Sequence, residues 1–277
     1  FPFLKDKNAP QQACIEAAVL RYRLDIGTPR VEQALNKVTA LLATSDKSSI
    51  ENPHRVLREP ERKVDIPEKI VALLHFGRSG TGLLHSLVDG HSQVSTLPSH
   101  YFSDFFDVAS WDRLTTGGWD EIGDRFVSAY PVLFDARATD PVPMSGFKSI
   151  IGMGRIEGLA NLGDNKDEVF SLDKGVFLQE LKSLMACSHG LDALSFFQLV
   201  HIAYEKTLNN SSDKRMLFYH IHNPYSYAKL NFIRLAPEAN WLMMIREPLQ
   251  SCESWIRRRF YDLDYENIVS RISGMLF

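Results

Sequence analysis

Cysteine is scarce in this chain of 277 residues, and the few cysteines form no recognisable site. Cys14, Cys187 and Cys252 are odd in number and far apart, which excludes a disulfide framework and the paired spacing of a zinc site. This cysteine usage predicts a reducing, cytoplasmic compartment. The sequence also lacks an apolar run of about 20 residues, the length that a transmembrane helix needs.

The chain has no strong excess of either charge. Lysine and arginine total 31 against 34 aspartates and glutamates, which gives a formal net charge of −3. This balance argues against nucleic acid as a partner, because nucleic-acid-binding domains carry a basic patch or stripe. Any anion-binding site therefore has to be local.

Residues 70–90 predict a strand, a loop of small residues and a helix. The apolar run from Ile70 to Phe76 is typical of a strand buried on both faces. The loop contains small residues around one cation: Gly77, Arg78, Ser79, Gly80, Thr81 and Gly82. Apolar residues then recur at helical spacing: Leu83, Leu84, Leu87 and Val88. Such a loop presents backbone N–H groups and the positive end of a helix to an anion, typically a phosphate.

The loop does not fit three other glycine-rich motifs. An ATP- or GTP-binding loop ends in Gly-Lys-Ser/Thr, and no lysine follows Gly80 or Gly82. The glycine spacing does not match the dinucleotide fingerprint, and Thr81 stands where an esterase elbow has its last glycine. A loop with a basic residue before Ser-Gly-Thr remains, and an ordinary glycine-rich turn without function is the alternative.

A second predicted strand and helix contain an arginine and a serine, Arg246 and Ser254. Residues 240–245 predict a buried strand that ends at Arg246-Glu247-Pro248, and a helix follows because proline suits the first helical turn. Arg246 and Ser254 are eight positions apart, which places the serine two turns into that helix. Arginine can bind phosphate through its planar fork. The alternatives are a solvated strand-end charge for Arg246 and an ordinary helix-surface serine for Ser254.

The two motifs together resemble those of sulfotransferases that use 3′-phosphoadenosine 5′-phosphosulfate (PAPS). In that family, a lysine or arginine followed by Ser-Gly-Thr-Thr binds the 5′-phosphosulfate, and an arginine with a serine eight residues later binds the 3′-phosphate. The resemblance covers roughly residues 70–260. It implies these nucleotide-binding residues: Arg78, Ser79, Gly80, Thr81, Gly82, Leu83, Arg246 and Ser254. Gly82 departs from the pattern, because the family has a second threonine there.

The resemblance implies in-line transfer of a sulfuryl group from PAPS to a hydroxyl or amine acceptor, by a scheme that requires no metal. Arg78 would stabilise the leaving phosphate, and a histidine would accept the proton of the acceptor. His222 is the first candidate base, because His222-Asn223-Pro224 matches the end of the Lys-x-His-x-Pro segment of cytosolic members, although His220 replaces the lysine. His100 is the second, in a stretch where other branches use a glutamate.

Alternating strands and helices predict an α/β fold with a doubly wound parallel sheet, and the resemblance implies that the sheet is of P-loop type. Further strands are predicted at residues 94–97, 145–151 and 216–221. Helices are predicted at residues 172–185 and 191–208.

Residues 1–66 are predicted to form a helical appendage and a linker. Residues 67–277 are predicted to form the sulfotransferase-like domain, with its C-terminal part missing. A P-loop phosphotransferase and a non-catalytic nucleotide-binding module are the alternatives. The acceptor is left open, since acceptor specificity lies in loops without a fixed pattern.

Overall fold

The computed structural model describes residues 11–43, 49–54, 64–75, 79–98, 105–138, 159–210, 213–221, 226–257 and 266. Within these ranges the chain forms these strands: β1 (Ile50–Glu51), β2 (Lys69–His75), β3 (Val94–Thr96), β4 (Gly190–Leu191), β5 (Met216–Ile221) and β6 (Asn240–Met244). The α-helices of the same ranges are α1 (Gln11–Asp25), α2 (Val31–Ala43), α3 (Thr81–Val88), α4 (Val108–Thr115), α5 (Ile122–Ala129), α6 (Lys174–Ala186), α7 (Ala193–Thr207), α8 (Ser226–Leu235) and α9 (Pro248–Arg257).

Four parallel strands form the central sheet, in the order β3–β5–β2–β6. Residues 69–74 of β2 pair with residues 216–221 of β5 on one side. Residues 71–75 of β2 pair with residues 240–244 of β6 on the other side. The predicted α/β fold with a parallel sheet is therefore confirmed, whereas the strand predicted at 145–151 lies outside the described residues.

Helices cover both faces of this sheet. Successive residues of a strand point to opposite faces, so Phe218 and Tyr219 of β5 mark one face each. The ring of His85 on α3 lies 5.8 Å from that of Phe218, and the ring of Phe232 on α8 lies 5.0 Å from that of Tyr219. Burial on both faces explains why β2 and β5 are continuous apolar runs in the sequence.

The larger core lies on the Tyr219 face and is rich in aromatic rings. Phe105 and Phe106 are fully buried in a turn ahead of α4. The ring of Phe105 packs against aromatic side chains of three helices: Trp111 of α4, Phe126 of α5, and Phe196 and Phe197 of α7. Helices α4 to α7 therefore share one core with the sheet.

β6 is the edge of the described sheet, and its exposure corrects the sequence prediction. The apolar run at residues 240–245 predicted a buried strand. The strand is present, but its side chains are largely exposed, including Met243 at 58%, and Ile245 directly after the strand is 65% exposed. Within the described part of the chain β6 pairs with β2 alone, so one side of it has no neighbouring strand.

The N-terminal helices α1 and α2 form the predicted helical pair. Apolar side chains of both helices make a small core of their own: Ile15, Ala18, Val19 and Val38. This core contacts Leu230 of α8. β1 pairs with β4, so part of the predicted linker packs on the larger domain. Among the described residues, no helix is both long enough and apolar enough to cross a lipid bilayer.

Candidate functional site

The two predicted nucleotide-binding motifs follow neighbouring strands of the sheet. His75 at the end of β2 pairs with Met244 at the end of β6, so both strands end at the same edge. A Cβ atom built on Gly80 would lie 3.4 Å from Cε of Met244, which shows that the first loop touches the end of β6. Ligands of α/β proteins bind at this edge, outside the carboxyl ends of parallel strands.

The first loop ends at a left-handed glycine that starts α3. Gly80 is the N-cap residue, with φ 95° and ψ 13°, a conformation that glycine adopts at little cost. No side chain caps α3 among the described residues, so the N–H groups of its first turn remain for solvent or a ligand. This is the backbone arrangement that an anion-binding loop requires.

The loop hydroxyls lie inside the protein. Ser79 and Thr81 are both buried, and Oγ of Ser79 has no hydrogen-bond partner within the described ranges. A buried hydroxyl without a partner is uncommon, and a bound anion would satisfy it. Gly82 and Leu83, which follow Thr81 in the first turn of α3, are exposed.

The second motif combines an exposed cation with two serines of α9. Arg246 is exposed, and its Nε donates to Oε1 of Gln250 at 3.3 Å. Ser254 is half-buried. The sequence did not predict Ser251, which is fully buried and whose Oγ has no partner among the residues described here. The mixed polar sequence of this helix gave no sign that Ser251 would face inward.

The three candidate catalytic residues, Arg78, His100 and His222, lie outside the described residues. Their positions in the sequence are still informative, because His222 directly follows β5 and Arg78 directly precedes Ser79. His100 comes four residues after the end of β3. Each candidate therefore belongs to a segment that follows the carboxyl end of a strand of the one sheet.

His220 lies beneath α3, the helix that follows the first loop. It is 2% exposed near the end of β5, and its ring stacks on that of His85 of α3, with centroids 5.5 Å apart and planes 29° from parallel. Burial lowers the pKa of His85, while the charge of Asp89 acts in the opposite direction. These two histidines thus join the loop-bearing helix to the sheet.

A cavity of about 840 Å³ lies at the opposite edge, near the amino ends of β2 and β5. Its buried charged groups are Glu205 and Lys214, whose carboxylate and amine are 3.3 Å apart. Nζ of Lys214 also donates to the backbone oxygens of His91 and Val94, each at 2.9 Å. Because these groups already satisfy one another, the carboxyl edge is the better candidate for a ligand.

Comparison with family models, with curated proteins and with solved structures gives no match to this chain. Within the described part of the chain, no group of three or more His, Cys, Asp or Glu side chains is placed to hold a metal ion. The candidate site is therefore defined by its own residues and geometry.

Replacing Gly80 with alanine is expected to lower the free energy of unfolding by about 1–2 kcal/mol. The cause is the φ of 95° at Gly80, which a Cβ atom penalises by about that amount. Gly82→Ala is the matched control, because its Cβ would meet no atom within 4 Å and alanine favours a helical position. Urea unfolding of both variants is the measurement. Equal losses of stability in the two would contradict the role assigned to Gly80.

Proposed function

We propose that the chain binds PAPS across the carboxyl ends of β2 and β6 and transfers its sulfuryl group to a hydroxyl or amine acceptor. The observation that carries this proposal is the pairing of β2 with β6 up to His75 and Met244. Neighbouring strands lie about 4.8 Å apart, so loops that follow them are close enough to hold the two ends of one nucleotide.

The first loop would bind the 5′-phosphosulfate. The first turn of α3 offers backbone N–H groups, and the buried hydroxyls of Ser79 and Thr81 lie beside it. Arg78 adds a positive charge next to Ser79 in the sequence. Charge that develops on the leaving phosphate would be stabilised by these groups, a type of effect that supplies much of the catalysis of such transfers.

The second motif would bind the 3′-phosphate. Arg246 lies two residues after the end of β6 and is exposed. It can therefore present its guanidinium to a phosphate. Ser254 lies two turns into α9 and is half-buried. Recognition of the 3′-phosphate would distinguish this nucleotide from AMP, which lacks that group.

The proposed reaction forms one bond and breaks one bond at sulfur. The acceptor oxygen or nitrogen attacks the sulfur atom, and the bond from sulfur to the bridging oxygen of the 5′-phosphate breaks. The electron pair of that bond leaves with adenosine 3′,5′-bisphosphate. The proton of the acceptor passes to a base, for which His222 is the first candidate and His100 the second.

Calorimetry with adenosine 3′,5′-bisphosphate, AMP and ATP tests the proposal. We expect the bisphosphate to bind more tightly than AMP or ATP. The Arg246→Ala substitution should lower the affinity for the bisphosphate about 10–100-fold, since hydrogen bonds to charged groups contribute about 1.5–3 kcal/mol. The affinity for AMP should stay nearly constant in this variant. Arg215→Ala is the control, because Arg215 is an exposed arginine at the opposite edge that pairs with Asp213.

The transfer step is tested with ³⁵S-labelled PAPS and a panel of hydroxyl and amine acceptors. The His222→Ala and His100→Ala variants assign the base, because loss of the base should lower the rate by about 10²–10⁴. A clear preference for ATP would refute the proposal in favour of a phosphotransferase. Tight binding of the bisphosphate without any transfer of label would indicate a non-catalytic nucleotide-binding module.

A further inference from the structure

The helix that begins at the candidate phosphate loop rests on the sheet through a pair of histidines. On its outer side α3 is open to solvent, with Leu83 at 68% and Leu87 at 72% exposure. On its inner side His85 stacks on His220 at 5.5 Å and contacts the ring of Phe218 at 5.8 Å. This contact lies one helical turn from Thr81, the first residue of α3.

The surroundings of His85 favour its neutral form. His220 is 2% exposed, and Nδ1 of His85 is buried without a hydrogen-bond partner among the described residues. The titratable groups that act on His85 within the same ranges are His220 on β5 and Asp89 at the end of α3. Oδ1 of Asp89 already accepts a hydrogen bond from the hydroxyl of Thr96.

We infer that the stacked pair of His85 and His220 positions α3 against the sheet, and that protonation of His85 displaces the helix and weakens binding of the nucleotide. This inference rests on the proposed function, since it concerns the same phosphate loop. His85 and His220 act through the backbone of α3 and are positioning residues.

The direction of the effect follows from burial. A histidine released to solvent takes up a proton near pH 6.5, whereas burial lowers the pKa of His85 in the docked helix. As the pH falls below about 6.5, proton uptake therefore favours the undocked helix. One linked proton changes this equilibrium by at most tenfold per pH unit.

Hydrogen exchange at the amides of α3 tests the inference without any nucleotide. After correction for the intrinsic exchange rate, protection of α3 should fall about tenfold between pH 7.5 and 5.5 in the natural chain. His85→Phe keeps a ring against His220 but cannot take up a proton, so its protection should change much less. His54→Phe is the control, because His54 is an exposed histidine that contacts Asp120, and its profile should match that of the natural chain.

Binding of adenosine 3′,5′-bisphosphate at the same two pH values is the second measurement. The phosphate itself is protonated near pH 6, which affects every variant equally. The effect of His85 is therefore the difference between variants in how much the affinity changes with pH. Because the affinity follows the fraction of chains with a docked helix, the affinity of the natural chain should fall more than that of His85→Phe, by no more than about tenfold. If His85→Phe does not fold, His85→Gln replaces it as a polar side chain that does not titrate.

The outcomes separate the two proposals. Protection of α3 that depends on pH in a chain that binds no nucleotide would support the histidine contact and overturn the proposed function. Parallel pH profiles of the natural chain and the His85 variants, in both exchange and binding, would overturn the role assigned to the pair.

Discussion

Replacing Lys214 with methionine is expected to lower the free energy of unfolding by about 3–5 kcal/mol, the usual cost of breaking a buried ion pair from one side. The side chains of Lys214 and Glu205 are only 7% and 5% exposed. Methionine fills much of the space of the lysine stem but leaves the Glu205 carboxylate buried without its cation. It also removes the donor to the backbone oxygens of His91 and Val94.

The neighbouring residue supplies the control for this prediction. Arg215 forms an ion pair with Asp213 at 2.9 Å, but both side chains are exposed. Exposed pairs contribute at most about 1 kcal/mol, so Arg215→Met should be nearly neutral in urea unfolding. If Lys214→Met lowered the free energy of unfolding no more than Arg215→Met, the buried pair would not stabilise the fold to the expected extent.

The pH dependence of Lys214→Met provides a second check. Burial raises the pKa of Glu205, and Lys214 opposes that rise. Without the lysine, the pKa of the folded state moves further above that of the unfolded chain. A folded-state pKa above the unfolded value means that stability falls as the pH rises through it. The deficit of the variant should therefore be larger at pH 8 than at pH 5, and a deficit that did not change with pH would contradict this account.

Acidification is expected to remove about 4–5 kcal/mol of stability through His201 between pH 6.5 and 3. His201 lies on α7 and is 1% exposed, and burial lowers its pKa from 6.5 to about 3. The unfolded chain takes up this proton near pH 6.5, but the folded chain resists it until about pH 3. Stability that is complete above pH 6.5 is therefore lost as the pH falls, at about 1.4 kcal/mol per pH unit.

His201→Gln isolates this contribution. Nδ1 of His201 lies 2.8 Å from Oγ of Ser95, and the amide of glutamine can replace that hydrogen bond without taking up a proton. Urea unfolding between pH 7 and pH 4 should show a shallower decline in the variant than in the natural chain. Two curves that stay parallel over this range would show that His201 does not set the acid sensitivity.

The sequence predicted those parts of the fold that have one dominant pattern. The strands β2, β5 and β6 agree with their predicted bounds to within a residue or so, because each is a continuous apolar run that ends at a polar or glycine-containing turn. The helix that begins at Pro248 was also predicted, from its proline and its apolar spacing. Local signals of this kind do not depend on the rest of the chain.

Features that depend on distant contacts were not predictable in the same way. An apolar run has the same pattern in a central strand and in an edge strand, so residues 240–245 did not reveal that β6 lies at the edge of the described sheet. Helix α4 was missed, although Asp107 caps it by accepting from the N–H of Ala109 at 3.1 Å, a signal that the sequence offered. The stack of His85 on His220 joins residues far apart in sequence, and only the folded chain shows it.

The edge strand β6 affects how binding and unfolding of this protein should be measured. Among the described residues, the peptide groups of β6 on the side away from β2 have no strand partner, so they can extend the sheet into another polypeptide. Its exposed apolar side chains add a hydrophobic surface. We therefore expect purified chains to associate through this edge as their concentration rises. Binding and unfolding are therefore best measured in dilute samples at several concentrations, with light scattering to determine the oligomeric state.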